Sequence, residues 1–594
     1  MAEKKEYVEK EGQRWFEVDQ KKPWFTEDAG WPNEVPKNML FPTITLGQML
    51  QDTVKKYPNE KAIWFLESFI TYKELYSLVE SLATALHKLG LKKGDVIALL
   101  LPNSIQYVVA YYAAQLLGVT ASGINPTYKP REAEHQLKLT GAKALVVLDS
   151  LYEQIVEPII GETKVEHVIV TNVVDLVKMS PAKKFLGKLL KKIPTGRVPA
   201  DALKLTKLLQ TPANVPDNKV HTDDIAAMIT TGGTTGVPKA AVLTHFNLVS
   251  NALQSKAWLY KVEPGGVAIG VLPLFHSFAM TCVMNISIAV GAWMLLFPRP
   301  PQVDELLKKI QELVPQKKGL YPGAEILFKR IAEFPDINKY DVAGRLELCV
   351  SGAGPLHRPV QEAFEKATGG RLSEGYGLTE SSPVVSAGPF WGKRKVGTIG
   401  LPFPGTDWKI VDIADWTKEL SIGEVGEVAV SGPQVMKEYY NQPEETTATI
   451  VWGEDGKRWL LTGDIGRMDE GGSIIIEDRK KQLIKYRGYS VFPTEVETLL
   501  YGNEAVGEVA VGGIPDPTSG EIIKAWIVVK PEYKDKVTPQ DIIEWAKQNL
   551  THYKVPAEVE FRDELPKTLV GKVLRRVLQE EDPRFQEYKA KKKT

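Results

Sequence analysis

The chain has 594 residues, 43% hydrophobic and 25% charged, too many for one hydrophobic core, so a soluble protein of two or more domains is expected. Lys plus Arg and Asp plus Glu both number 74, which excludes a global field drawing it to nucleic acid. Two cysteines, Cys282 and Cys349, exclude a disulfide framework and suit a reducing cytosol, and the eight histidines form no Cys/His cluster of the kind that holds zinc.

Residues 1–10 carry charge and no apolar run, so no secretory signal is expected there. From Ala62 the chain alternates short β-rich runs with helical periods. Ala62–Leu66 reads as a strand, and Thr71-Tyr72-Lys73-Glu74 as a capping box opening a helix. That helix carries Leu75, Leu78, Leu82 and Leu86 on one face, with Gly90 beyond its end. Val96–Leu101 is a continuous apolar strand; a helix through Tyr107–Leu117 and strands at Ala144–Leu148 and Val168–Thr171 follow. Such alternation predicts an α/β fold of largely parallel, helix-covered sheets. The apolar stretch Ala279–Phe297 contains Asn285 and Ser287 and reads as a buried helix and strand, not a membrane span. After Trp408 the texture turns β-rich. Past Asp478 a smaller α+β unit begins, with helices near Thr494–Leu500 and opening at Thr538-Pro539. The expected division is an N-terminal extension over 1–45, a large domain with a β-rich subdomain over 46–478, and a small mobile domain over 479–594.

Residues 230–239 read Thr-Thr-Gly-Gly-Thr-Thr-Gly-Val-Pro-Lys after the apolar run Ile225–Ile229. Gly232, Gly233 and Gly236 free the backbone to wrap an anion; Thr230, Thr231, Thr234 and Thr235 can donate to it, and Lys239 adds charge. This is a phosphate cradle without the Gly-Lys pair of the Walker loop. Glu374-Gly375-Tyr376-Gly377-Leu378-Thr379-Glu380 offers a flat ring for a base, room for phosphate, a hydroxyl, and a carboxylate for Mg2+. Ser351-Gly352-Ala353-Gly354 is a tight turn after the strand Leu346–Val350. Asp464, in Thr462-Gly463-Asp464, can accept from both ribose hydroxyls.

Together with Asp478–Gly488 and Pro566–Arg575, these stretches resemble, in order from about Leu46 to Arg576, the adenylate-forming superfamily, most closely the long-chain fatty acid–CoA ligases. The family's Pro-Lys-Gly stands here as Pro238-Lys239-Ala240. The resemblance implies ATP-dependent formation of an acyl-AMP with pyrophosphate release, then acyl transfer to CoA. It implies that Tyr376 packs on adenine, Thr379 contacts phosphate, Thr234 and Glu380 hold Mg2+, and Gly352, Ala353, Gly354, Glu374 and Gly375 surround the nucleotide and acyl group. It further implies ribose and phosphate contacts at Asp464 and Arg479, a hinge at Lys481, and thioester-step residues Lys485, Arg487 and Gly488. Lys572 would bridge carboxylate and α-phosphate, His276 would line the acyl site, and Arg299 would meet the CoA nucleotide. Gln482 stands where the family often has an acid.

Pro273–Thr281 contains no acid to pair a substrate ammonium, and only about twenty residues follow Lys572, so an apolar acid and free CoA are favoured over an amino acid and a carrier domain. An aryl- or medium-chain carboxylate–CoA ligase shares every motif and stays open. A nucleotide-binding regulator would lack some of the charged positions, all of which are present. Between Asp175 and Asp201 stand no acid and the bases Lys178, Lys183, Lys184, Lys188, Lys191, Lys192 and Arg197, with Phe185, Leu186, Leu189, Leu190 and Ile193 able to share a helical face. Two readings stay open: docking on an anionic membrane from the cytoplasmic side, or anchors packed inward. The tail Lys589–Lys593 is expected to be disordered. Oligomeric state is left open.

Overall fold

The computed structural model describes residues 7–231, 238–487, 489–568 and 571–593, without the side chains of 490 and 591–593. The chain forms two compact units. One comprises residues up to Trp408 together with Val430–Leu460, the other Lys409–Ala429 together with Leu461 onward. The division into 46–478 and 479–594 concerns which part turns during turnover, and it stays a proposal.

The first unit holds two large sheets. The eight-stranded one runs Leu203–Lys204, His167–Thr171, Ala144–Leu148, Val96–Leu100, Thr120–Gly123, Ile225–Thr231, Lys239–Thr244, Glu438–Tyr439. It is parallel as far as Ile225–Thr231, and its last two neighbours are antiparallel. The nine-stranded sheet is parallel across its centre, from Lys61–Phe65 through Trp293–Leu296, Val267–Gly270, Gly319–Gly323 and Leu348–Ser351 to Arg371–Gly377. The α/β expectation holds, because continuous apolar strands such as Val96–Leu100 are buried along their whole length.

Local signals place the helices. Thr71 Oγ1 accepts from the Glu74 amide at 3.2 Å and Glu74 Oε2 from the Thr71 amide at 2.7 Å, starting the helix Tyr72–Lys88 whose Leu75, Val79, Leu82 and Leu86 are buried. Helix Ile105–Leu117 is apolar around its circumference and correspondingly buried. The 279–297 stretch is a buried helical run followed by the strand Trp293–Leu296. Among the described residues, no helix is long and apolar enough to cross a membrane.

The 178–197 segment does not pack its apolar residues inward. Its helix Pro181–Leu189 has no buried residue, and Phe185, Leu186, Leu189 and Leu190 are 70%, 52%, 66% and 56% exposed. Ile193 does not share their face. The helix ends at Leu189, Lys191 takes φ 54°, and the Ile193 amide bonds the Gly187 carbonyl at 3.0 Å, folding its side chain back over Gly187.

In the second unit, Gly520–Val529 pairs with Val506–Asp516, Ile484–Tyr486 and Glu558–Phe561. Helices Pro493–Leu500 and Pro539–Asn549 contribute Val496, Leu500, Ile542 and Ala546 to a core with Val511, Ile523 and Ile527. The second helix opens at Thr538-Pro539 as the sequence predicts, and Thr538 and Asp541 cap it reciprocally. Pro583–Lys593 is helical, and Lys589 pairs with Glu580 at 2.6 Å.

Candidate functional site: a nucleotide turn beside an apolar cavity

Strands Ile225–Thr231 and Lys239–Thr244 pair antiparallel with Thr231 opposite Lys239. Gly232, Gly233, Thr234, Thr235 and Gly236 lie outside the described residues. Lys239 opens the second strand with its side chain 8% exposed. Its ammonium ion-pairs with Glu445 and lies 5.0 Å from the centroid of the Tyr439 ring.

The second motif ends a central strand of the nine-stranded sheet. Arg371–Gly377 runs into the turn Thr379–Ser381, and a Cβ at Gly377 would come within 1.9 Å of the Pro383 carbonyl oxygen, so only glycine fits. Thr379 Oγ1 lies 3.2 Å from Ser277 Oγ, joining this turn to the one after Pro273, where His276 Nδ1 accepts from the Phe278 amide at 3.2 Å. Burial, reinforced by Glu325, pushes the Glu374 carboxyl up to about 8 against a bond from the Leu356 amide. Glu380 Oε1 accepts from Tyr439 Oη at 2.6 Å.

Between these turns lies an open cavity with about 730 Å³ of empty space, open solvent included. His276, Gly352, Ala353, Gly375, Tyr376 and Thr379 line one side, and apolar side chains such as Trp258, Phe278, Cys282, Ile286 and Phe403 line the rest. Among the described residues, no Asp, Glu, Lys or Arg is in the lining. The structure therefore brings these six predicted residues to one cavity. Gly354 and Arg299 do not line it, and Arg299 is exposed past the strand Trp293–Leu296.

In the second unit, Asp464 and Arg479 are cross-strand partners, and the Arg479 Nε donates to the buried Asp464 Oδ1 at 2.7 Å. The Thr462 hydroxyl bonds the Val428 carbonyl at 2.8 Å and accepts from the Asp464 amide at 3.1 Å, fixing the carboxylate's backbone. Gly463 takes φ 72° there, with its amide on Glu427 Oε1 at 3.0 Å. Lys572 sits at a tight reversal in which the Thr568 amide bonds the Lys572 carbonyl at 2.8 Å. The charge of Arg479, then desolvation, lower its ammonium to about 8, against an opposing effect of Asp464. The Lys572 side chain keeps exposed surface, so the neighbouring charge outweighs burial as the cause. Lys481 lies in the turn Lys480–Gln482, Lys485 is in the strand Ile484–Tyr486 and Arg487 follows it, both exposed; Gly488 lies outside the described residues.

Sequence reasoning missed three groups. Tyr439 and Glu445 carried no motif signal. Arg575 donates to Glu497 Oε1 at 2.8 Å and to Gln482, so the glutamine standing in place of the family's acid has a partner after all.

The residue set fits a divalent cation shared with a polyphosphate. No group of three or more His, Cys, Asp or Glu occurs among the described residues, and Mg2+ in nucleotide sites needs only one or two carboxylates besides the phosphates. Glu380 would supply one.

A family model described as AMP-binding enzyme matches residues 50–440, and the AMP-binding enzyme C-terminal domain matches 495–572. The chain belongs to the AMP-binding enzyme family. It is 39% identical to a long-chain-fatty-acid–CoA ligase of Bacillus subtilis over 95% of this chain and 99% of that one. To the protein of the same name from Salmonella typhimurium it is 37% identical, over 94% and 98%. An anthranilate CoA ligase solved with anthranoyl-AMP superposes with a TM-score of 0.78 at 25% identity, covering 92% of this chain and 98% of that one.

Proposed function

We propose that the protein is an AMP-forming long-chain fatty acid–CoA ligase of the cytoplasm. The observation that carries the substrate class is the cavity lining. With no charged side chain, it offers nothing to an amino acid's ammonium or to a second carboxylate, and it rewards burial of an aliphatic chain.

The fatty carboxylate enters beside His276 and attacks the α-phosphorus of ATP, whose adenine rests on Tyr376 and whose ribose hydroxyls bond Asp464. Negative charge builds on the α-phosphate oxygens. Lys572 and Arg479 meet it there, while Lys239 and the Gly/Thr-rich segment before it hold the outer phosphates. Glu380 and Thr234 would hold Mg2+, which would supply further neutralisation of the polyphosphate. Pyrophosphate leaves. The small domain then turns about Lys481, exchanging Lys572 for the face of Lys485, Arg487 and Gly488, and the CoA thiol attacks the acyl carbon and expels AMP. The CoA nucleotide falls to Arg299.

The test is pyrophosphate release across linear acids from two to twenty carbons and benzoic-type acids. Each methylene that enters the cavity adds up to about 0.8 kcal/mol, about four-fold in kcat/KM, until the chain outgrows the space. Faster turnover of aromatic acids, as with the anthranilate enzyme, would put the aryl alternative first.

Peripheral contact with an anionic membrane belongs to the same reading, because the four apolar side chains of the 185–190 face point to solvent beside exposed Lys183, Lys191 and Lys192. Each base near such a surface contributes about 1 kcal/mol. Co-sedimentation with phosphatidylglycerol vesicles should be strong at low salt, weak at high salt, and reduced by Lys188→Ser, Lys191→Ser and Lys192→Ser together. Equal sedimentation with neutral phosphatidylcholine vesicles, or none at low salt, refutes it.

A further inference from the structure

The strand that begins at Lys239 has an unexpected neighbour. Glu438–Tyr439 pairs with it antiparallel, setting Tyr439 opposite Ala241, and the Tyr440 amide bonds the Ala240 carbonyl at 2.9 Å. The same segment reaches the metal carboxylate's turn: the Met436 amide donates to the Glu380 carbonyl at 2.7 Å, and Tyr439 Oη donates to the Glu380 side chain at 2.6 Å. Beyond it, the helix Pro443–Thr449 carries Glu445 in its first turn, and the Tyr439 amide is held on Thr446 Oγ1 at 3.0 Å. One short segment thus braces the phosphate lysine and the metal ligand from one side.

A buried ammonium does not stand bare, because desolvation without a partner costs several kcal/mol. Lys239 is 8% exposed and Glu445 is its counter-ion. Glu445 itself is 37% exposed, so it can turn into water at small cost when a stronger anion arrives. Pyrophosphate carries more charge than a carboxylate and seeks the same ammonium.

We infer that Glu445 is an internal counter-anion that holds Lys239 before nucleotide binds and retakes it as pyrophosphate leaves, while Tyr439 sets Lys239 and Glu380 in register. Both are positioning residues. Two anions compete for one ammonium, so Glu445 weakens pyrophosphate binding and speeds its release. The inference rests on Lys239 binding the ATP phosphates.

The experiment is calorimetric titration of the full-length enzyme with inorganic pyrophosphate, with and without Mg2+. Glu445→Gln removes the competing charge and should tighten pyrophosphate about five-fold, the size expected of a partly exposed ion pair. A structural role alone would lower the melting temperature and leave that affinity unchanged, which overturns the exchange; weaker binding overturns it as well. Should Glu445→Gln not fold, Glu445→Asp keeps the charge, shortens its reach, and carries the same expectation. Lys239→Met separates the two levels. Unchanged pyrophosphate binding there would defeat the phosphate role of Lys239 itself, whereas loss there with no effect at Glu445 defeats only the exchange. Tyr439→Phe keeps the ring over Lys239 and removes the bond to Glu380, so the factor by which Mg2+ strengthens pyrophosphate binding should shrink. An unchanged factor overturns the part assigned to Tyr439.

Discussion

Lys572 provides a quantitative test through pH. Its ammonium lies at about 8 against an ordinary 10.5, with the Arg479 charge as the leading cause and Asp464 opposing it. Adenylation needs the charged form, so kcat/KM for ATP, which reports the free enzyme, should be level near neutrality and half-lost at about pH 8. One unit higher, about a tenth of the lysine is charged, and the rate should be down about ten-fold. Lys572→Arg keeps the charge throughout and should flatten the curve at whatever lower rate its geometry permits. Because the side chain is exposed, salt should screen Arg479 and move the midpoint upward. The assay is pyrophosphate release with a saturating fatty acid in micelles at constant ionic strength. A midpoint near that of an ordinary lysine, or one that persists in Lys572→Arg, refutes the assignment; persistence would point to Glu374, which titrates in the same range.

Asp464→Asn removes a charge that raises the Lys572 ammonium, so the midpoint should move to lower pH while KM for ATP rises; an upward move would contradict the electrostatics. Glu374 is held near 8 when folded against an ordinary 4.5, so the folded state keeps a proton that the unfolded chain releases, and stability should fall as pH rises between these values. Glu374→Gln should lose that slope in melting temperatures taken from pH 5 to 9, and equal slopes would sink the argument. Lys481→Pro fixes a backbone torsion in the turn Lys480–Gln482 and should spare pyrophosphate release on the first turnover while acyl-CoA formation falls; normal overall turnover rules out a hinge there.

The local and periodic features were legible in the sequence, because short-range chemistry sets them. The capping boxes at Thr71 and Thr538 each lie within four residues, and the apolar strands bury as their composition requires. The motif order alone gave the family, and the strand Ile225–Thr231 forms where the apolar run Ile225–Ile229 predicts it. What the chain brings together over long separations was not legible. Glu445 is 206 positions from Lys239 and Tyr439 is 59 from Glu380; neither stands in a motif, and their pairing exists only because the edge strand Glu438–Tyr439 lies against Lys239–Thr244. The same limit applies to the basic segment. An amphipathic period reads identically whether its apolar face meets a core or water, and only the packing of the chain shows Phe185 and Leu189 outward and Ile193 turned back.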